Sequence, residues 1–263
     1  MISDMSEDVK KKRPYLVVTL PVHNEVDLLE SAVRSVMREL SNITDDYLIV
    51  IAEDGSTDGT LEKAIELSRS DPRIICFHSD RRLGRGRSLI EVWGKVDGEI
   101  FIYLDSDLAT DMRFFPELIK GIEMGYDLVT GSRYLPESRV ERPILRKIVS
   151  KIYNLVMRIL FHTEVHDHQC GFKAFSRRLI HHVLPKCRST HWFWDSEIIT
   201  LAASEGYQIL EIPIAWKEKR RRRTPLRRLF NDIMIHGLGI IRLWFRIKES
   251  RENLKIRGGK WKR

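Results

Sequence analysis

Six apolar runs recur along the chain, and the stretches between them carry apolar residues every third or fourth position. YLVVTLPV (15–22), YLIVIAE (47–53), RIICFH (73–78), EIFIYL (99–104), YDLVTGS (126–132) and QILEIPIAW (208–216) read as strands, rich in branched and aromatic side chains. Helical spacing marks about residues 25–40, 58–69, 86–96, 113–124, 143–161, 176–183 and 194–205. The alternation predicts an α/β protein with helices on the faces of a sheet. One helix stands out. In ILRKIVSKIYNLVMRILF (144–161) Lys147, Lys151, Asn154 and Arg158 fall at i, i+4, i+7 and i+11, and nearly everything else is apolar. A core helix with one wet stripe and a helix lying on a membrane surface both fit that pattern.

Composition narrows the class. With 263 residues, 43% hydrophobic and 31% charged, the chain can bury a large core and should fold. Cys76, Cys170 and Cys187 lack C-x-x-C spacing, which points to reduced thiols and a cytoplasmic setting. MISDMSEDVKKKRP has acids ahead of its lysines and no apolar centre, so residues 1–13 are expected to form a flexible arm and not a signal peptide. No run approaches the roughly 18 apolar residues of a spanning helix.

Charge is unevenly placed. From Lys217 onward 17 Lys and Arg face 4 Asp and Glu, a balance of +13 in a chain of +8, so residues 1–216 carry −5. Such a tail calls for an anionic surface. Nucleic acid is the less fitting partner, because the tail has no groove-reading or base-stacking motif. Arg220 to Arg223 lead instead into a stretch rich in Leu, Ile, Trp and Phe (226–247), which is the pattern of a membrane-surface segment.

Polar strings sit at the carboxyl ends of the predicted strands, where open α/β sheets bind ligands. They are Pro21-Val22-His23-Asn24-Glu25, Glu53-Asp54-Gly55-Ser56, Arg82-Leu83-Gly84-Arg85-Gly86-Arg87, Asp105-Ser106-Asp107 and Gly131-Ser132-Arg133-Tyr134. Two carboxylates one residue apart repel unless a hard divalent cation sits beside them, and that cation can also hold a diphosphate. Glycines among Arg82, Arg85 and Arg87 can wrap phosphate with amides and guanidinium groups. The ligand implied is a nucleoside diphosphate bearing a transferable group.

LPVHNE, EDGSTDGT, RLGRGRS, DSDLAT, GSRY, DHQCGFKAFSR and EIPIAWKEK occur in this order over residues 14–226. In that set the chain resembles family-2 glycosyltransferases of GT-A fold, close to the dolichyl-phosphate mannose and glucose synthases. The resemblance implies a Rossmann-like, mixed and mainly parallel sheet over residues 14–222, followed by a basic amphipathic membrane-associated segment, 223–263. It implies an inverting transferase that moves a hexose from GDP-mannose or a UDP-hexose to a polyprenyl (dolichyl) phosphate. The enzyme would work peripherally at the cytoplasmic face of a membrane. A family-2 enzyme with a polysaccharide or small-molecule acceptor is the alternative.

By the same resemblance Pro21, His23, Glu25, Ala52 and Asp54 line a nucleoside pocket. Asp105, Ser106 and Asp107 form the D-x-D element, with Asp107, then Asp105, as ligands of Mg²⁺ or Mn²⁺. Arg133 reaches the donor diphosphate, and Arg146, Ser150, Arg139 and Lys219 surround the acceptor phosphate. Ala109 stands where mannose-type relatives often carry a metal-holding Gln, which leans the chain towards glucose-type and archaeal relatives, and Glu53 replaces the usual Asp. His162, His166, His168 and Cys170 are spaced like metal ligands, but they fall in the family's D-x-x-[S/C]-G-F element. Asp195 and Glu197 either support the site or cap a helix; Trp192 and Trp194 either stack on substrate or fill the core.

Overall fold

The computed structural model describes residues 13–219 and 226–256. Its centre is a seven-stranded sheet in the order β3-β2-β1-β4-β7-β5-β8. The first four strands are β1 (Leu16–Val22), β2 (Tyr47–Asp54), β3 (Ile74–Ser79) and β4 (Ile100–Leu104), each within two residues of its expected place. They are parallel, as are β5 (Leu128–Ser132) and β8 (Ile209–Pro213). β7 (Phe172–Ser176) runs antiparallel between β4 and β5. The strand pattern misses β7 because Lys173 occupies its second position, and a lysine in a central strand reads as a loop. The final apolar run divides: β8 ends at Pro213, and after Ile214 the chain enters β9 (Ala215–Lys217), which pairs with β6 (Arg139–Glu141) in a two-stranded sheet.

Helices cover both faces. α1 (Val26–Ser41) buries Leu29, Ala32, Val33, Val36 and Leu40, an i, i+3, i+4, i+7, i+11 stripe, and shares one core with α2 (Thr60–Ser70) and α4 (Phe115–Glu123). The other core holds α3 (Arg85–Trp93), α6 (Arg177–Val183) and α7 (Trp194–Ser204), with Trp93 and Trp194 packed edge-on. β1 feeds both: Val17 points to the second core, Leu16, Val18 and Leu20 to the first.

α5 (Ile144–Phe161) is turned inside out. Its buried positions are Ser150, Asn154, Met157 and Phe161, while Ile144 (76% exposed), Leu145, Ile148, Ile152 (58%), Leu155, Ile159 (63%) and Leu160 face outward. Asn154, expected on the wet stripe with Lys147, Lys151 and Arg158, lies inside, where its Oδ1 accepts from His168 N (3.0 Å) and faces His168 Nδ1 (2.9 Å). The inward face is therefore partly polar, with Ser150 and Asn154 hydrogen-bonded, and the outward face is largely apolar. α8 (Leu226–Ile256) packs on α7 through Leu243 and Ile247, with Gly239 against the Phe193 ring, and bares Met234, Leu238, Ile241 and Phe245 on its other side. No helix among the described residues is long and apolar enough to cross a membrane. Residues 1–12 of the expected arm, and Arg220 to Arg223 with the boundary near 222, lie outside the described residues.

Candidate active site

The loops after β1 and β2 are latched together. His23 Nδ1 lies 2.8 Å from the Asp54 carbonyl, Asn24 Oδ1 accepts from Thr57 N (2.9 Å), and Glu25 N donates to Thr60 Oγ1 (2.8 Å). Asn24 takes a φ of 56°, in the left-handed region that Asn tolerates, so the chain can turn sharply off the strand. Pro21 and His23 are half-buried and Glu25 and Asp54 buried, while Ala52 sits fully within the core beneath α3. Glu53, also buried, accepts from Ser56 N (2.6 Å) and bonds His78 Nδ1, which gives the longer side chain a structural use.

The glycine–arginine string works differently from the phosphate wrap expected of it. The amides of Leu83 and Gly84 are spent on the Asp54 carboxylate (2.5 and 2.9 Å). A methyl at Gly84 would collide with His191 and Thr190, and one at Gly86 with Trp194. The glycines thus admit the loop that precedes α7. Arg82 is exposed and Arg87 pairs with Glu91; Arg85 alone turns inward.

Arg85 belongs to an alternating chain of charges. Lys173 Nζ donates to Asp195 Oδ1 (2.8 Å), Asp195 Oδ2 accepts from Arg85 Nη2, and Arg85 Nη1 donates to Asp105 Oδ1 (2.7 Å). Tyr103 also donates to Asp105 Oδ1 (2.8 Å). Lys173 and Asp195 have no exposed side-chain surface. Burial alone would lower the Arg85 pKa, but Asp195 and Asp105 outweigh it and hold the guanidinium above its ordinary value. Burial pushes the Tyr103 phenol well up, so it remains a donor. Trp192, half exposed, covers Arg85 at 4.2 Å, and Trp194 is core. Of the two alternatives for Asp195 and Glu197, the solvated helix cap does not hold: both are buried, and Glu197 pairs with Arg246 of α8 while accepting from Arg188 N and Ser189 N.

Asp105, Ser106 and Asp107 follow β4 directly. Asp107 Oδ1 accepts from Ala109 N (3.1 Å), and Leu108 at φ 43° closes the turn. Asp105 N donates to Gly171 O (2.9 Å), and the Asp105 carboxylate fills the space a side chain at 171 would need. The donor set is two hard carboxylates, suited to Mg²⁺ or Mn²⁺ when diphosphate and water complete the shell. Asp105 is paired with Arg85, and Asp107 stands half-exposed at the other side of the turn. Among the described residues no group of three His, Cys, Asp or Glu is arranged to hold a metal by itself. A G171A variant should displace the Asp105 carboxylate and lower turnover about tenfold or more while costing about 1–3 kcal/mol of stability. Steady-state rates beside a melting curve check it.

Beyond the D-x-D turn β9 is tied alongside: Lys217 N donates to Ala109 O and Asp111 N to Ala215 O, both 2.9 Å. This places the Trp216 ring on the wall of a small cavity shared with Asp105, Leu108, Ala109 and Gly171. The guanidinium groups of Arg133 and Arg142 each lie 5.6 Å from the Trp216 ring centre. Arg133 is held twice by Asp167 (2.7 and 2.8 Å), which outweighs burial and keeps it above its ordinary pKa. Ser150 bonds Tyr134 OH (2.5 Å) and Arg142 Nη1 (3.1 Å); Arg146 pairs with Glu218, and Arg139 and Lys219 are exposed. Trp216, Arg142, Tyr103 and Lys173 were not singled out by the sequence. Arg142 stands one residue before Pro143 and the start of α5, and that position was its only signal.

The histidines have other tasks. His166 bonds Glu211, and His168 bonds Thr163 and Asn154. Burial pushes His168 down from 6.5 to about 4. Between those values the unfolded chain binds a proton that the folded chain refuses. Stability is therefore complete above the upper value and lost as the pH falls through the window. This group should cost on the order of 3 kcal/mol between pH 7 and pH 4. Urea unfolding at both pH values should show a smaller loss for H168Q; an equal loss would contradict the assignment.

A mainly parallel sheet with one reversed strand and a D-x-D turn at the switch between β1 and β4 is the GT-A fold. The chain belongs to glycosyl transferase family 2, whose model matches residues 17–184. It is 38% identical over 233 residues to glycosyltransferase AglD of Haloferax volcanii, covering 88% of this chain and 37% of that one. It is 27% identical over 216 residues to dolichyl-phosphate beta-glucosyltransferase ALG5C of Trichomonas vaginalis (78% and 64% covered). It is 28% identical over 221 residues to polyprenol monophosphomannose synthase of Mycolicibacterium smegmatis (81% and 82%). The chain thus spans less than two thirds of the first two relatives. Among solved structures it resembles glucosyl-3-phosphoglycerate synthase of Mycobacterium tuberculosis in complex with Mn²⁺, UDP and phosphoglyceric acid, with a TM-score of 0.65, 19% identity, and 93% of this chain and 82% of that one covered.

Proposed function

We propose that this chain is an inverting hexosyltransferase that moves a sugar from a nucleoside-diphosphate donor, GDP-mannose or a UDP-hexose, to a polyprenyl (dolichyl) phosphate. The observation that carries the acceptor is α5. A helix that buries Ser150 and Asn154 and exposes Ile144, Leu145, Ile148, Ile152 and Ile159 needs an apolar neighbour, and a lipid surface supplies one. The names of two relatives, a dolichyl-phosphate glucosyltransferase and a polyprenol monophosphomannose synthase, support the same acceptor. The outward apolar face of α8 extends the surface and supports peripheral attachment to a membrane; the cytoplasmic face is the side that the family resemblance implies. Residues 14–222 are the catalytic unit, 1–13 its arm and 223–263 the basic membrane-associated segment.

Pro21, His23, Glu25, Ala52 and Asp54 form the nucleoside side of the site. Asp107 and Asp105 hold a divalent cation, Mg²⁺ or Mn²⁺, which when bound neutralises diphosphate charge. Ser106 sits buried in the turn between them. Arg85 and Arg133 are fixed cations beside the place where charge builds on the departing diphosphate, and their partners Asp195 and Asp167 prevent either from swinging away. The acceptor phosphate, met by Arg146, Ser150, Arg139 and Lys219, is anionic near neutral pH and attacks without a strong base. Its oxygen forms the new bond to the sugar carbon as the bond to the diphosphate breaks, inverting that carbon.

Calorimetry of UDP- and GDP-sugars with the full chain tests the donor half, and flotation on anionic phospholipid vesicles tests the surface. One nucleotide should bind at least tenfold more tightly with Mn²⁺ than with EDTA, and the protein should float. Metal-independent binding, or protein left in the aqueous layer at low salt, would overturn the respective half.

A further inference from the structure

Most buried or half-buried cations near the site have a carboxylate: Arg85 has Asp105 and Asp195, Arg133 has Asp167, Lys173 has Asp195 and Arg146 has Glu218. Arg142 differs. Among the described residues its guanidinium makes one hydrogen bond, to the Ser150 hydroxyl, and its buried Nε has no acceptor. It lies over Trp216 on the same ring as Arg133, so two guanidinium groups share one aromatic wall; Asp167 is bonded to Arg133, and Asp167 and Glu218 act on Arg142 only through space, without a hydrogen bond among the described residues. Burial, and then Arg133, push the Arg142 pKa down. A cation held against a like charge with an unused buried donor is a seat for an anion.

We infer that Arg142, with the hydroxyls of Ser150 and Tyr134, is the seat of the acceptor's phosphomonoester. The groups suit it: a guanidinium gives two donors to a phosphate's oxygens, and Tyr134, whose hydroxyl lies 2.5 Å from Ser150 Oγ, can turn its hydrogen towards a third while Ser150 donates to Arg146 O (2.7 Å). Trp216, under the Arg142 guanidinium, links the seat to the D-x-D turn, because Trp216 and Asp105 line one cavity. Ile144 and Leu145, 76% and 64% exposed, lie two and three residues beyond Arg142 and continue as the apolar face of α5. A chain attached to a phosphate in this seat meets that face first, which favours a prenyl phosphate over a small phosphorylated acid. The inference rests on the acceptor being a phosphomonoester; the prenyl group is the part shared with the proposed function.

Calorimetric titration of the full-length protein with citronellyl phosphate, and separately with 3-phosphoglycerate, tests it. R142Q should weaken citronellyl phosphate binding about tenfold to a hundredfold, the range for a lost hydrogen bond to a charged group. R142K should retain part of the affinity. UDP- or GDP-sugar affinity should stay within twofold in both variants, a separation that a merely structural arginine would not show. If the wild type binds only 3-phosphoglycerate and R142Q loses it, the seat stands and the lipid acceptor falls. Wild-type affinity in R142Q, equal loss of donor binding, or no binding of either phosphate by the wild type would overturn the inference.

Discussion

Replacing Asp107 with alanine should lower transfer by about a thousandfold or more and leave the fold standing. The carboxylate is half-exposed and accepts from Ala109 N, a bond inside its own turn. Losing such a bond costs about 1 kcal/mol of stability. The catalytic loss is larger because leaving-group charge develops where the cation sits, and stabilisation at such a point is worth about 4 kcal/mol. D107N, which keeps the shape and removes the charge, should lose nearly as much activity. Turnover measured beside melting temperature and metal-dependent nucleotide binding separates the two effects. Near-normal transfer by D107A would remove Asp107 from the reaction.

The largest effect on stability is expected at Asp195. Lys173 and Asp195 are fully buried and Arg85 nearly so, and among the described residues Asp195 is the one carboxylate paired with both cations. D195A leaves two positive charges facing each other without it. Removing one partner of a buried ion pair costs about 3–5 kcal/mol. Arg85 would also lose its anchor opposite Asp105, so the folded fraction should bind donor more weakly. D195N, which still accepts one hydrogen bond, should fall between. Urea denaturation gives the answer directly, and a loss under about 1 kcal/mol would mean that water reaches this pair.

Strands with continuous apolar runs were legible because a sheet covered on both faces needs them, and β1, β2 and β4 fall where their residues place them. β7 was hidden because Lys173 owes its burial to Asp195, a partner 22 positions away that periodicity cannot see. The direction of α5 was hidden for a related reason. Asn154 and Ser150 are at home inside through His168, Tyr134 and Arg142, and a helical wheel scores both residues simply as polar. Local motifs marked the D-x-D turn, whereas its electrostatics also depend on Arg85 of α3 and on Gly171 ahead of β7, both distant in sequence from Asp105. The glycines beside Arg85 invited a phosphate reading on composition alone; the α7 loop that occupies their space becomes visible only in three dimensions.

The central claim is that carboxylates at the end of β4 serve sugar transfer to a lipid phosphate. The most direct measurement supplies the full chain with labelled UDP- and GDP-hexoses, polyprenyl phosphate and Mg²⁺ or Mn²⁺, and counts label entering the organic phase. The account predicts lipid-phase label from one donor, lost with EDTA and in D107A. Label that stays in water with every donor and metal, or lipid transfer that D107A leaves intact, would contradict it.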